Sequence, residues 1–326
     1  MRQLSILVIL FLLFSGCNHN PKIEFNKNKI FPEVKNLKEF SKTIFLPTLE
    51  SEFSTKNNGI YAASFLLAWD EIKKIIADPI KNIDSEELSM IDKSDSYENV
   101  LSENEIIKKV EVHGLIIKAE AYFKKSLPFK IKLVRHRKPL FFRNDSVSTF
   151  GCYGANKTAS IIYYNNDDDF AVKLSPANVE QEIILVKTNF ADKINLKNSI
   201  ENLSKYEANS WNYVFDDEDE LKIPIIEFDI ETNYTSIEGT SFSAGLRKFQ
   251  FDTAYQRNAF ILNEKGAEVE SLTILHLRTL SLNQGKKSIP RKMIFNSPYL
   301  ILLRKIDNKY PYFAMFVANS ELMKKK

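Results

Sequence analysis

The chain has 326 residues, 44% of them apolar, with 45 basic against 42 acidic side chains and a formal charge of +3. The charges are dispersed rather than gathered into a stripe, which argues against a nucleic-acid surface, and two cysteines exclude a disulfide scaffold. A chain of this length buries roughly three quarters of its unfolded surface, enough for a large core without cross-links.

Arg2 precedes an unbroken apolar run from Ile6 to Phe14, closed by Ser15-Gly16-Cys17. A positive start, a short apolar stretch and a small-residue site make a secretory signal. The run falls short of the ~20 apolar residues that a membrane span needs. The Ser-Gly-Cys ending resembles a bacterial lipobox, with Phe14 where Leu is commoner. That resemblance implies removal of residues 1–16, a lipid on Cys17, and an address at the cell envelope or its outer surface, the membrane being reached through the anchor. Residues 17–36 are rich in Lys and Asn and read as a solvated tether, and 37–326 as a single domain.

Leu37 to Ser54 carries apolar residues at helical spacing and is expected to be a helix that Pro47 interrupts. Asn57-Asn58-Gly59 reads as a turn. Ile60 to Ile76, with Phe65, Leu66, Trp69, Ile72 and Ile76 on one face, is expected to be a second helix that Pro79 ends. Asp84 to Glu105 is acidic and Ser-rich, reads as loop with one short helix, and is the best candidate for a mobile insertion. From Val110 the pattern turns to strands: within Val112–Phe123, then Ile131–Val134, Ala159–Tyr164, Phe170–Lys173, Glu182–Lys187, Ile223–Ile230, Phe249–Leu262, Tyr299–Arg304 and Tyr312–Ala318. One helix is expected from Asn195 to Lys205. Helices first and strands after them point to an α+β fold.

Catalytic and metal signatures are weak. His19, His113, His136 and His276 are scattered, without a His-Glu-x-x-His pair; there is no Gly-x-Ser-x-Gly elbow, and none of the nine glycines has phosphate-loop spacing. No cofactor, metal or catalytic residue is assigned. Asp167–Asp169 and Asp216–Glu220 lack the spacing of a calcium loop and read as solvated turns. Arg135-His136-Arg137-Lys138 reads as a solvated turn before Pro139, and Cys152 as a structural thiol.

The order of several segments resembles the serpin family. Asn58-Gly59-Ile60-Tyr61-Ala62-Ala63-Ser64-Phe65 is similar to the beginning of the family's second helix, and Ala119-Glu120-Ala121-Tyr122-Phe123-Lys124 before Pro128-Phe129 to its central-sheet strand. Ile162-Tyr163-Tyr164 before Glu182–Val186 looks like its paired strands, and Pro224–Phe228 like its Pro-x-Phe strand. Near the C-terminus, Asn263-Glu264-Lys265-Gly266-Ala267-Glu268 looks like the Glu-x-Gly hinge before a reactive loop that ends at Phe295-Asn296-Ser297-Pro298. No single piece is specific; their order is, from about Phe40 onward.

The resemblance implies a serpin-like α+β fold, with N-terminal helices, a mixed central sheet and a smaller barrel-like set of strands. It implies a protease inhibitor rather than an enzyme, whose partner is an endopeptidase of serine or cysteine type and whose loop, about 264–294, is the bait. Glu264, Gly266, Ala267 and Val269 would form the hinge, outside the sheet before cleavage. The scissile bond would be Leu280–Ser281, or alternatively Arg278–Thr279. A Leu suits proteases with an apolar pocket, and an Arg those whose pocket holds a carboxylate. From Ala267 every second residue, through Val269, Ser271, Thr273, Leu275 and Leu277, is uncharged, as a strand with one inward face requires. An ordinary half-buried strand gives the same alternation. There are departures too. Ala62-Ala63-Ser64-Phe65 replaces the family's Ser-Pro-x-Ser, Ala119 its Asn and Gln256 its His, at the positions where the sheet opens, and the stretch from Lys73 to Glu111 is short. A non-inhibitory protein of the same fold that binds a ligand or partner therefore stays open as the alternative.

Overall fold

The structure is a computed structural model and describes residues 30–113, 116–207, 214–268 and 290–326. The N-terminal part departs most from the helical expectation. Asn36 caps a single 3-10 turn at Leu37–Glu39, accepting from the Lys38 N–H at 3.0 Å, and the chain then runs as strand β1 (Thr43–Leu46) and strand β2 (Asn58–Ala62). All five residues of β2 are buried. A strand covered on both faces reads as a continuous apolar run, and periodicity cannot separate it from a buried helix. The helix begins only at α1 (Ser64–Ile76) and ends where Ala77 adopts a left-handed φ of 57°, one residue before Asp78-Pro79.

The acidic segment holds the expected short helix, α2 (Glu86–Lys93), N-capped by the Ser85 hydroxyl. It is not a loose insertion. Leu88, Ile91 and Val100 are buried, Trp69 donates its indole N–H to Asp92 at 3.3 Å, and Tyr97 donates its hydroxyl to Asp70 at 3.0 Å. Strands β3 (Ile106–His113) and β4 (Ile116–Phe123) then form an antiparallel hairpin against α1. After them come β5 (Ser126–Pro128), β6 (Val134–Arg135), β7 (Thr149–Tyr153), β8 (Ala159–Asn166), β9 (Asp169–Leu174) and β10 (Gln181–Lys187), and then helix α3 (Leu196–Glu207). The expected Ile223–Ile230 strand is two strands, β11 (Glu220–Pro224) and β12 (Ile226–Asn233), which turn at Ile225 into different sheets. The remaining strands in use here are β13 (Tyr255–Asn263), β14 (Gly266–Glu268), β15 (Lys292–Ile294), β16 (Tyr299–Lys305) and β17 (Phe313–Val317).

Three sheets organise the core. Seven strands lie in the order β8-β9-β10-β16-β17-β2-β1, antiparallel except for the parallel pair β1–β2. A second sheet runs from Lys35–Asn36 through β12, β13 and β14 to β5. A third runs β15-β11-β7-β6, with β15 parallel to β11. The third sheet is open at both edges, so the expected barrel-like set does not close among the described residues. Three α-helices are present among them, two of which lie in the N-terminal third. The arrangement is α+β with mixed sheets, as expected, but with fewer helices.

The meeting point of chain beginning and chain end is Asn58, which is fully buried. Its Oδ1 accepts from the Ala318 and Asn319 N–H groups at 2.8 and 3.1 Å, and its Nδ2 donates to Thr43 and Asn319 side chains at 3.3 and 3.0 Å. Removing the amide leaves buried donors without partners, each costing about 1–3 kcal/mol. Asn58→Ala should therefore lower stability by about 2–4 kcal/mol in urea denaturation.

Candidate functional site

The Glu-x-Gly segment is a hairpin turn joining β13 to β14. Asn263 Oδ1 accepts from the Lys265 N–H at 2.8 Å and shapes the turn. The turn is held from the side: Phe129 N–H donates to Lys265 O at 2.8 Å, and Leu133 N–H to Glu264 O at 3.0 Å. Gly266 has φ +139°, and a Cβ there would meet Leu127 O at 2.3 Å and Pro128 Cα at 2.7 Å. Only glycine lets the two backbones approach this closely. Glu264 keeps one buried carboxylate oxygen with no hydrogen bond among the described residues.

The expected hinge does not stand outside the sheet. Ala267 pairs with Leu262 on one side and Leu127 on the other, and is fully buried. The ladder between β13 and β5 has room for a strand, and the first three residues after the turn fill it. Val269, the candidate bonds Leu280–Ser281 and Arg278–Thr279, and the lipidation candidate Cys17 lie outside the described residues.

β14 covers only the last third of β13. Ile261 and Leu262 have ladder partners on both sides and Asn263 pairs with Gly266 alone, whereas Tyr255 to Phe260 pair only with β12 among the described residues. Beside that free edge is a cavity of about 1480 Å³, bounded by β13, β4 and α1. Phe65, Trp69, Ile72, Ile117, Ala121 and Phe251 give it an apolar lining. It exceeds the roughly 300–1,000 Å³ of ordinary small-molecule sites.

Ala62, Ser64, Ala119 and Gln256 all line this wall. Gln256 accepts from the Tyr234 hydroxyl at 2.7 Å and donates to Ser64 Oγ at 3.1 Å and Ala62 O at 3.4 Å. It thus ties β13 to the start of α1. Ala119 lines the cavity from β4. Asn258 is buried, and its Nδ2 finds no acceptor among the described residues. Arg257, on the other face, holds Asp229 through two contacts of 2.8 Å, and this pairing lifts its pKa further.

On the C-terminal side of residues 269–289 the chain is pinned by Arg291. Its guanidinium meets the fully buried carboxylate of Asp219 at 2.6 Å and that of Asp216 at 3.0 Å, and its backbone N–H reaches Asp219 Oδ1 at 2.8 Å. Burial alone would raise the Asp219 pKa. The Arg291 guanidinium and the N–H groups of Asp216 and Arg291 outweigh it, so the carboxyl titrates below its ordinary range. The acidic run 216–220 is thus partly an arginine clasp rather than a solvated turn, and among the described residues no cluster could hold a metal. Burial pushes the Cys152 thiol up to about 12, consistent with an inert structural role. His136, half-buried and stacked on Tyr153 at 5.4 Å, is pushed down by burial.

No protein-family model matches the chain, and no curated protein matches it. Solved structures similar to it include a serpin from the trematode Schistosoma haematobium, with a TM-score of 0.40 and 13% identity over 63% of this chain and 56% of that one. Another is the serpin from Schistosoma mansoni, with a TM-score of 0.40 and 14% identity over 62% and 55%. The chain thus spans little more than half the length of either.

Two substitutions test the pins. Ala267→Arg puts a charge between two paired strands, so the uncleaved protein should melt earlier, by several kcal/mol of stability. Asp219→Asn strips Arg291 of its main partner and should cost about 3–5 kcal/mol at pH 7. The Asp219 pKa is lower folded than unfolded, so its contribution is full above the unfolded carboxyl value near 3.9 and fades as the pH falls through the folded value. Urea midpoints of wild type and Asp219→Asn should differ at pH 7 and draw together as the pH falls through the lowered folded value.

Proposed function

We propose that the chain is a serpin-like, envelope-anchored protein that offers residues 269–289 to an endopeptidase of serine or cysteine type. After cleavage it takes the cut segment into the slot beside β13. One observation carries the reading: among the described residues the edge of β13 is free from where β14 stops, and β14 already lies antiparallel to it. Continuing that register sets Val269 opposite Phe260, Ser271 opposite Asn258 and Thr273 opposite Gln256. Phe260, Asn258 and Gln256 are all buried, so the small uncharged set would face inward. Ser271 would offer the unpartnered Asn258 Nδ2 an acceptor. Glu270 and Leu272 would face out with Ala259 and Arg257. Six added residues extend a strand by about 20 Å, each bringing a backbone ladder to an edge that lacks one.

In this reading Leu280–Ser281, or Arg278–Thr279, is the bond attacked, Gly266 and Ala267 start the insertion, and Cys17 carries the anchor. The size and apolar lining of the cavity equally favour a second reading, a non-inhibitory protein of this fold that holds a ligand there.

The test mixes the protein with trypsin-, chymotrypsin-, elastase- and papain-like enzymes and follows denaturing gels and melting curves. Inhibition by insertion gives an SDS-resistant covalent complex and a cleaved form that melts higher than the intact one. Clean cleavage with no rise in melting temperature would sink insertion and leave the ligand-binding reading.

A further inference from the structure

The segment from Lys130 to Arg143 forms a surface that neither the loop nor the cavity uses. It carries Lys130, Lys132, Arg135, Arg137, Lys138 and Arg143 and no carboxylate. All six cations are exposed, and among the described residues none has an ion pair. The nearby carboxylates are engaged: Asp145 with Lys325 at 3.3 Å and Glu220 with Lys222 at 2.5 Å. Between the cations stand apolar side chains that face water, Val134 58% exposed, Phe141 64% and Ile131 44%.

The fold brings parts of this segment together along one sheet edge. Among the described residues β6 is the edge strand of the third sheet, with Val134 against Gly151 and Arg135 against Phe150. Thr158 Oγ1 donates to Ile131 O at 2.7 Å, and His136 stacks on the exposed Tyr153. The Lys326 ammonium donates to Arg137 O, and its backbone N–H reaches Ser146 O, the residue paired with Phe141. The cation-bearing turn and the Phe141 hairpin are therefore neighbours.

We infer that this face is a docking surface for an anionic lipid bilayer. Unpaired cations seek phosphate-type headgroups, each worth roughly fivefold in binding near an anionic leaflet. A soluble polyanion would satisfy them too, but would leave Ile131, Val134 and Phe141 wet. A bilayer interface takes apolar side chains in as well. The surface rests on the folded domain and stands whether or not Cys17 bears a lipid. Among the described residues no helix is long and apolar enough to cross a membrane.

The chain from residue 17 onward with Cys17→Ser, which keeps every described residue, is sedimented with vesicles of phosphatidylcholine alone or with one quarter phosphatidylglycerol. Binding should be confined to the anionic vesicles and weaken in 0.5 M salt. Arg135→Glu, Arg137→Glu and Lys138→Glu together should reduce it at least a hundredfold. Val134→Ser with Phe141→Ser should weaken it about tenfold while the salt dependence persists. All five positions are exposed, so melting temperatures should match wild type, and a variant that melts early is replaced by the milder Arg→Gln and Lys→Gln set. Equal binding to neutral vesicles, or indifference to charge reversal, overturns the proposal. It is also overturned if the serine pair binds like wild type while a heparin or oligonucleotide competitor displaces the vesicles, since the surface then reads a polyanion in solution.

Discussion

An interior strand has to give every backbone N–H and C=O a partner, and among the described residues β13 meets that requirement in full along one side only. Its pairing with β12 runs from Tyr255 to Leu262, while its other side is covered by described residues at Ile261, Leu262 and Asn263. The rest of the molecule is arranged around this shortfall. α1 lies behind it, the β3–β4 hairpin stands across the gap without joining the sheet, and Gln256 holds the bare stretch to Ser64.

Both borders of residues 269–289 are fixed by strong local chemistry. On one side the backbone of Gly266 touches β5 so closely that no other residue fits. On the other a buried carboxylate holds Arg291 by side chain and main chain together. The two pins differ in kind, one steric and insensitive to salt or pH, the other ionic and dependent on a depressed carboxyl pKa. They belong to different sheets, so tension on the segment between them would be carried into the second and third sheets separately.

How far the fold was legible depends on what each strand is buried against. β16 and β17, bounded by turns at Asn296–Pro298 and Asp307–Pro311, were readable with near-correct limits because their apolar runs are short and clearly punctuated. β1 and β2 were misread as helix because both are covered on two sides and lose alternation. The break between β11 and β12 was invisible, since nothing in Ile223-Pro224-Ile225-Ile226 announces that the neighbours belong to different sheets. The place of Ala267 inside the sheet was not legible, because its partner Leu127 is remote in sequence. Asn258 and Asp219 carried no signal at all. Among the described residues Asn258 Nδ2 finds no acceptor, and Asp219 finds an arginine distant in sequence; neither is a property of the local pattern.

The seven-stranded sheet sets β2 directly against β17, with Ala62 opposite Phe313. β2 therefore pairs early with β1 but waits for β17 before its other edge is covered. Contacts that close so long a loop are slow to form and leave apolar edges open meanwhile. Until β17 arrives, the edge of β2 with Ile60, Tyr61 and Ala62 would be a template for pairing with other chains. A chain threaded N-terminus first across a membrane would meet this problem at its worst, since β2 would emerge long before β17. Productive maturation should then be governed by how long the first strands are sheltered rather than by how stable the finished sheet is.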